Sequence, residues 1–348
     1  MPDTIGLTAL ARGARGKLAP KALREILAQV PAAAAFPSLL VGAETADDAA
    51  VWRLNDTQAL VATTDFSGPM VDDPFDFGRI AAANALSDVY AMGGAPIMAL
   101  AVAGVPSGKL PAHAIARIFE GGAAVCATAG VPIAGGQTIH SEQPFYGLVA
   151  MGLVHPEHVL TNKGGREGDV LILTKPLGLG ILAAAHREGR LDESGYEGLI
   201  GTAIQLNVLG RDLAGMAGVN AVTDVAGSGL IGHALEMAVA ARLLADIQAD
   251  VPVLAGVERF IKTGVRASGS SCNWESSSDL VQEMTALPHW KRDLLTDPQP
   301  NGGLLIAASP GSADAVLTAA RVRGFGKAAI IGRLSGRSMG IQPRVRIH

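Results

Sequence analysis

Aspartates are the residues of this sequence best placed to do chemistry. Five of them follow predicted strands or occupy a helix position that faces a loop: Asp47, Asp48, Asp65, Asp88 and Asp224. Each one alone has an ordinary structural interpretation, because aspartate is common in turns and at helix N-caps. Together they favour a magnesium site, because Mg²⁺ binds a few carboxylates and completes its octahedron with waters and substrate phosphates.

Other polar and glycine-rich positions complement these acids. Asn84 and Asp88 are four residues apart in a predicted helix, so their side chains share a face and can approach one ligand together. Glycine lets backbone N–H groups come close to phosphate oxygens. Four glycine-rich loops are available for this, at residues 134–138, 175–180, 226–232 and 301–305. None has P-loop or dinucleotide-fold spacing, so ATP would have to bind through another architecture.

Several further side chains keep two interpretations. Lys175 precedes a glycine loop and could contact phosphate or be a solvated lysine. His140 and His233 follow glycine loops, where a capping or hydrogen-bonding role is favoured over a phosphate contact. Cys272 has serine neighbours in a polar loop, where an inert thiol is more common than a reactive one. Cys126 lies on an apolar helix face and is predicted to be core.

Length and composition limit the class of protein. A chain of 348 residues is long enough for two domains, and 49% hydrophobic against 17% charged residues is typical of a folded α/β enzyme. A net charge of -4 provides no basic field for nucleic acid. Two cysteines exclude a disulfide framework and favour a reducing cytosol. With no apolar run of about 18 residues, we expect a soluble, cytoplasmic protein without membrane contact.

The predicted elements alternate between strands and helices. A first helix at 20–30 is followed by a strand pair at 49–66, a helix at 77–94, a strand at 96–106 and a helix at 112–130. A strand into a glycine loop at 131–140 and a strand at 145–154 follow, and segments 170–189 and 218–241 repeat a strand, loop, helix plan. The polar, turn-rich segment at 155–169 predicts a domain boundary near residue 156. We therefore expect an N-terminal segment with the first helix (1–30), a first domain (31–155) and a second (156–348).

Six segments resemble the selenophosphate synthetase (selenide, water dikinase) family, in the superfamily of aminoimidazole ribonucleotide synthase. They read LLVGAETADDAAV, TTDFSGPMVDDPFDFGRIAAANALSDVYAMGGAPIMALAV, AGGQTI, LTKPLGLGIL, VTDVAGSGLIGHALEM and LLTDPQPNGGLLIA. The likeness extends from about Leu7 to Leu334. The long block at 63–102 distinguishes this family from its superfamily relatives.

The resemblance implies a two-domain α/β (α+β) fold. Its N-terminal strands would form a β-barrel in a homodimer, and its C-terminal domain would be a mixed sheet with helices. ATP and several Mg²⁺ ions would lie at the cleft between the domains. By matching positions, the metal-binding carboxylates would be Asp48, Asp65, Asp88 and Asp224. Nucleotide would contact Asp65, Asn84 and the loop Gly135, Gly136, Gln137 and Thr138, and Lys17 would close over the phosphates. The family reaction converts ATP, selenide and water to selenophosphate, AMP and phosphate.

The sequence departs from the family pattern at the expected nucleophile. Ala14 stands where active members have cysteine or selenocysteine, and Gly16 stands where many have a second cysteine, so neither position can provide a thiolate. Loop residues also differ, with Gln137 for histidine, Cys272 for arginine and Pro300 removing a backbone donor. Two hypotheses result. The chain is a selenide, water dikinase, or it is an ATP-binding or ATP-hydrolysing paralogue that uses another small acceptor or regulates a partner.

Overall fold

The first half of the chain forms a six-stranded sheet. The computed structural model describes residues 6–10, 20–27, 29–30, 36–106, 108–336 and 344–348. The strands are β1 (Leu39–Val41), β2 (Ala50–Arg53), β3 (Ala59–Ser67), β4 (Ala95–Val105), β5 (Ile133–His140) and β6 (Phe145–Val154), and the helices are α1 (Leu7–Leu10), α2 (Pro20–Leu27), α3 (Pro74–Ala91) and α4 (Ala112–Thr128). The strand order is β1-β2-β3-β6-β4-β5, with β4 and β5 parallel and the other pairs antiparallel.

The second half forms a seven-stranded mixed sheet covered by helices. Its strands are β7 (Val170–Leu173), β8 (Val219–Asp224), β9 (Leu244–Ile247), β10 (Val281–Glu283), β11 (Leu304–Ala308), β12 (Ala329–Ser335) and β13 (Val345–Ile347). Its helices are α5 (Leu179–Arg187), α6 (Glu193–Ala203), α7 (Leu209–Leu213), α8 (Gly229–Ala241), α9 (Val257–Lys262), α10 (Gly269–Ser277), α11 (His289–Leu295) and α12 (Ala313–Val322). The order is β10-β13-β9-β12-β7-β11-β8. The predicted two-domain α/β architecture, with a mixed C-terminal sheet, is confirmed.

Helix α3 is the element on which the two halves meet. Asp73 caps it by accepting the Asp76 N–H at 2.9 Å, and Pro74 in its first turn has no N–H that would need an acceptor. It packs so closely on α4 that a Cβ on Gly78 would come within 1.9 Å of the Ile118 carbonyl oxygen. Its inner face is alanine-rich and buried. Because α3 also contacts β8, α6 and α7 of the second half, its side chains can reach both domains.

Most predicted elements of the first half are confirmed, with two corrections. The strand pair is joined by a turn in which the Asn55 side chain accepts the N–H groups of Thr57 and Gln58, both at 2.9 Å. The predicted glycine loop is wrong, because the chain continues as strand β5 through His140. The helix predicted over 20–30 is also too long, because α2 is Pro20–Leu27 and residues 29–30 lie outside it. The Ile26 side chain on its apolar face is 50% exposed.

The interior is built from aliphatic side chains, as expected of a sequence with few aromatics. Cys126 is 1% exposed, which confirms its predicted place in the core. Among the described residues, none of the helices combines the length and the apolar character needed to span a bilayer.

A buried carboxyl group holds the N-terminus of α5. Asp297 Oδ2 accepts the Gly180 N–H at 3.1 Å, the Ile181 N–H at 3.3 Å and the Gln299 side-chain amide at 2.8 Å. Gln299 Oε1 in turn accepts the N–H groups of Gly178 and Leu179, both at 3.1 Å. Burial raises the pKa of Asp297 to about 8, although these hydrogen bonds to Oδ2 lower it. Residues 297–299 are thereby fixed against the start of α5.

Replacing Asp297 with asparagine should change how stability depends on pH. In the wild type the folded pKa is about 8 and the unfolded pKa is about 4, so stability is lost as pH rises through this window. The asparagine of Asp297→Asn cannot titrate, so the variant does not lose stability in this way. As pH rises, the free energy of unfolding of the variant should increase relative to that of the wild type by at most about 1.4 kcal/mol per pH unit. Urea unfolding between about pH 5 and pH 9 measures the difference. A difference that stays constant over this range contradicts the assignment.

Candidate functional site

Three carboxylates from both domains meet beside α3. Asp88 lies on α3 and is 9% exposed, Asp224 ends β8 and is 2% exposed, and Asp48 lies in the half-buried segment before β2. Burial raises the pKa of Asp48 well above its usual range, and the nearby negative charges of Asp224 and Asp88 raise it further. The structure therefore brings together three of the four predicted metal ligands.

Each of these carboxylates accepts a hydrogen bond from a hydroxyl group on a neighbouring element. Thr63 Oγ1 donates to Asp88 Oδ2 at 2.7 Å, and Ser87 Oγ donates to Asp224 Oδ2 at 2.6 Å. Thr223 Oγ1 donates to Asp48 Oδ1 at 2.9 Å, which lowers the pKa of Asp48 against the larger effect of burial. A hydroxyl donor orients a carboxylate and leaves its charge in place. These hydroxyl donors thus fix the direction of the three carboxyl groups.

The fourth predicted ligand, Asp65, is linked to the same helix. It lies on β3 two residues after Thr63, so both side chains are on one face of the strand. Asn84 Nδ2 donates to Asp65 Oδ2 at 2.7 Å, and Asn84 Oδ1 accepts the backbone N–H of Asn301 at 2.6 Å. Asp65 is 4% exposed. The predicted pairing of Asn84 and Asp88 on one face of α3 therefore extends to Asp65 through Asn84.

Asp47, the remaining member of the acidic set, has a structural role. Its Oδ1 accepts the Asn162 N–H at 2.6 Å, and its Oδ2 accepts the Thr45 hydroxyl in a short contact. Asn162 Nδ2 donates to the Ala46 carbonyl at 2.9 Å. These bonds attach residues 45–47 to the turn at 162–164 and so place the neighbouring Asp48.

The donor set fits a magnesium ion that shares its shell with water and phosphate. Within the described ranges, no three or more His, Cys, Asp or Glu side chains form a group that could hold a metal directly. Mg²⁺ seldom needs such a cage, since it keeps several waters and uses one or two carboxylates with substrate phosphates. The repulsion that raises the pKa of Asp48 is what a divalent cation would relieve, and Glu236 on α8 adds to that repulsion.

The predicted nucleotide residues on β5 are not brought to this cluster within one chain. Gly135, Gly136, Gln137 and Thr138 lie in an exposed edge strand that pairs with β4. This strand is three positions from β3, about 14 Å across the sheet. Gly136 has a φ of +155°, and a Cβ there would come within 2.0 Å of the Ala101 carbonyl oxygen. Glycine at this position is therefore required for the pairing of β5 with β4.

Lys17 and Ala14 lie outside the described residues. The segment before them is anchored, because Leu7 is fully buried and Thr8 donates its N–H and its hydroxyl to Asp72 Oδ1 at 2.9 and 2.8 Å. Asp72 comes two residues before the start of α3.

Two predicted alternatives are resolved by the contacts of the side chains. Lys175 is 1% exposed and donates to the carbonyl oxygens of Gln205 at 2.7 Å and Asn301 at 2.8 Å. The interpretation as a solvated lysine is therefore wrong, because the ammonium group is hydrogen-bonded to the backbone. His233 Nε2 accepts the Ala226 N–H at 3.0 Å, and its Nδ1 is 3.1 Å from Glu236 Oε2. The hydrogen-bonding interpretation of His233 is confirmed.

Sequence reasoning missed the residues that hold the carboxylates. Ser87 shares a helix face with Asn84, at a spacing of three, and Thr223 directly precedes Asp224. Those spacings were the available signal. The sequence gives no local signal for Asn207, which donates to Ser87 and to the Gly302 carbonyl oxygen, or for Asn301, whose N–H donates to Asn84. All of these partners are 95 or more residues away along the chain.

Comparisons with known proteins agree with this architecture. The model of the AIR synthase related protein N-terminal domain matches residues 46–154, and that of the corresponding C-terminal domain matches residues 166–342. The chain is 53% identical over 336 residues to a selenide, water dikinase of Burkholderia ambifaria, covering 96% of this chain and 95% of the relative. It is 54% identical over 319 residues to one of Burkholderia pseudomallei, covering 91% and 90%.

A solved structure shows the same fold at lower identity. Thiamine-monophosphate kinase from Stenotrophomonas maltophilia superposes with a TM-score of 0.63 and 21% identity, covering 96% of this chain and 98% of that one. This similarity concerns the fold alone, whereas the identity to the curated relatives exceeds one half over nearly the whole chain. The chain belongs to the selenide, water dikinase (selenophosphate synthetase) family.

Proposed function

We propose that this protein catalyses the reaction for which its relatives are named, converting ATP, selenide and water to selenophosphate, AMP and phosphate. The observation that carries the proposal is the convergence of Asp48, Asp88 and Asp224 at the junction of the two domains. Phosphoryl transfer consists mainly of positioning and of neutralising phosphate charge, and a carboxylate cluster that recruits magnesium suits both tasks.

Asp48, Asp65, Asp88 and Asp224 would hold the magnesium ions. Bound Mg²⁺ would offset phosphate charge and orient the reacting oxygens. The chain's own contribution is the fixed direction of its carboxylates. Thr63, Ser87 and Thr223 hold three of them by hydroxyl donors, and the side-chain amide of Asn84 holds Asp65. Lys17 is proposed to meet the phosphates from the N-terminal segment.

We propose a homodimer in which N-terminal strands of both copies form a β-barrel. Seven of the eight residues of β5 are exposed at the edge of the sheet, and no other described strand pairs with its outer side; proteins generally cover or pair such an edge. Ile139 on this strand is 51% exposed and Ile97 on β4 is 44% exposed. The nucleotide contact of residues 135–138 stays a proposal, and their separation from β3 within one chain favours a contact with the site of the second copy.

The domain boundaries are also part of the proposal. We place them as an N-terminal segment at 1–30, a first domain at 31–155 and a second at 156–348, which agrees with the absence of sheet strands between β6 and β7 among the described residues. Cys126 and Cys272 are both free thiols, which supports a reducing, cytoplasmic location.

A second candidate function follows from Ala14 and Gly16. Without a thiol in the N-terminal segment, the chain would bind or hydrolyse ATP with another small acceptor, or would regulate a partner. Cys272 is exposed on α10, and this helix contacts α2, the helix that follows the segment. This placement alone gives Cys272 no role.

The nature of the products separates the two functions. Purified protein with Mg²⁺ and ATP should release AMP and phosphate only when selenide is present, because selenide is the acceptor of the dikinase reaction. The nucleotide product should be AMP and not ADP, because this reaction splits both phosphoanhydride bonds. Nucleotide products are measured by anion-exchange chromatography, with sulfide as the matched acceptor control. Selenide-independent release of ADP would favour the paralogue, and absence of turnover would contradict the dikinase.

Replacement of Asp48 should abolish magnesium-dependent nucleotide binding. Asp48→Asn removes a charge from the cluster, so the thermal shift that ATP and Mg²⁺ give the wild type, expected to be several degrees, should disappear. The variant should fold at least as stably without ligands, because the removed charge is repelled by Asp88 and Asp224. Asp56→Asn, in the exposed β2–β3 turn, is the matched control. An unchanged shift in Asp48→Asn would mean that the metal assignment is wrong.

A charge on the edge strand should break the proposed dimer. Ile139→Lys places an ammonium group in the contact and should give monomers, because burying an unpaired charge opposes association. Val322→Lys, at an 80% exposed position on α12, should leave the dimer intact. Sedimentation at several protein concentrations measures both variants. Dimeric Ile139→Lys, or a monomeric wild type, would exclude this interface.

A further inference from the structure

We propose that Lys175 is a positioning residue for the nucleotide and metal site, acting through Asn301 and Asn84 on Asp65. The inference rests on the proposed function, because it assigns a role within the same site. It differs from the sequence-based alternatives for Lys175, which were a phosphate contact and a solvated side chain.

The ammonium group of Lys175 joins two backbone segments of the second domain. It donates to the carbonyl oxygen of Gln205 at 2.7 Å and to that of Asn301 at 2.8 Å. Lys175 is 1% exposed, and its contact with Asn301 is buried while that with Gln205 is partly buried. An apolar side chain here would remove both hydrogen bonds and leave the buried Asn301 carbonyl oxygen without this donor, which is costly. Burial lowers the pKa of Lys175 to about 7, while the charge of Asp224 opposes this effect.

Asn301 is held in an unusual backbone conformation at the other end of this contact. Its φ is +52°, a left-handed value that asparagine tolerates better than most residues. Its side chain donates to the carbonyl oxygens of Ala203 at 2.7 Å and Gln205 at 2.9 Å. Lys175 and the Asn301 side chain therefore converge on Gln205, and together they determine the direction of the Asn301 N–H.

That N–H determines which end of the Asn84 amide faces Asp65. It donates to Asn84 Oδ1 at 2.6 Å, so Asn84 must direct its Nδ2 to Asp65 Oδ2, at 2.7 Å. A half-turn of the amide would set its oxygen against the carboxylate, which is repulsive. The chain of contacts from Lys175 to Asp65 thus crosses from the second domain to the first.

The same loop supports a second carboxylate. Asn207 Nδ2 donates to the Gly302 carbonyl at 2.8 Å and to Ser87 Oγ at 2.8 Å, and Ser87 donates to Asp224. Residues 301–302 therefore influence both Asp65 and Asp224. A lysine that fixes this loop is placed to affect ligand binding without touching the ligand.

The test compares Lys175→Met with Lys327→Met. Lys327 is exposed and lines the same cavity of about 400 Å³ as Lys175, so it is a matched control for loss of a lysine there. We expect Lys175→Met to weaken binding of the β,γ-methylene analogue of ATP with Mg²⁺ about tenfold, and Lys327→Met to leave it unchanged. Isothermal titration calorimetry gives the dissociation constants.

A double-mutant cycle distinguishes positioning from a general loss of stability. If Lys175 acts through Asn84, then Lys175→Met combined with Asn84→Ala should bind the analogue no more weakly than Asn84→Ala alone. Additive losses would overturn the inference. Should Lys175→Met fail to fold, Asn301→Gly tests the next link of the same chain of contacts, since glycine keeps the left-handed backbone and loses only the two side-chain bonds. Its loss of affinity should likewise not add to that of Asn84→Ala, and additive losses would overturn the inference.

A readout without nucleotide separates this inference from the proposed function. The NMR signal of the Asn84 side-chain amide in ¹⁵N-labelled protein can be identified by its loss in Asn84→Ala. Its chemical shift should change in Lys175→Met and should be unchanged in Lys327→Met. If the wild type binds no nucleotide but the signal moves, the proposed function fails and the positioning link holds. If the wild type binds and Lys175→Met leaves both the signal and the affinity unchanged, the inference is wrong.

Discussion

Repulsion between carboxylates at the domain junction is the constraint on which the rest of this structure depends. Burial and the nearby charges of Asp224 and Asp88 raise the pKa of Asp48 and so favour its protonated form. The fold tolerates this because each domain supplies a donor to the other. Thr223 of the second domain holds Asp48, and Ser87 of the first holds Asp224. The cluster is therefore a property of the docked pair of domains, and a cation that neutralises it would stabilise the docking as well.

Helix α3 makes this arrangement possible. Asn84, Ser87 and Asp88 occupy one face of the helix, at spacings of three and four residues. Asn84 and Asp88 both contact β3, and Ser87 contacts the end of β8. Another side of the helix packs on α4 so closely that only glycine fits at Gly78 and at Gly121. A helix fixed on both sides cannot shift to relieve the repulsion, so the geometry of the acids is set before any ligand arrives. Such preorganisation is where electrostatic catalysis gains most.

Features that depend on local sequence could be predicted, and features that depend on distant contacts could not. The β2–β3 hairpin, α3 and the acidic set follow from turn residues, alanine content and strand ends. At 131–140 the sequence predicts a strand that leads into a glycine loop, because Gly135 and Gly136 indicate a turn unless the close approach of Ala101 is known. The buried contacts of Lys175 could not be predicted, because the two carbonyl oxygens that accept its hydrogen bonds belong to distant segments, at Gln205 and Asn301. No spacing rule relates residues that far apart.

The intact cluster and the missing thiol concern separable parts of the chemistry. In the proposed reaction the carboxylates and their donors would neutralise and orient phosphate, and all of these residues lie on α3, β3, β8 and the segment before β2. The resemblance assigns selenium handling to a thiol at position 14, which follows the anchor of Thr8 on Asp72 in the sequence. The contacts of the cluster described above are all made by other residues. The proposed nucleotide site is common to both candidate functions, so the acceptor has to be identified from the products and not from the carboxylates.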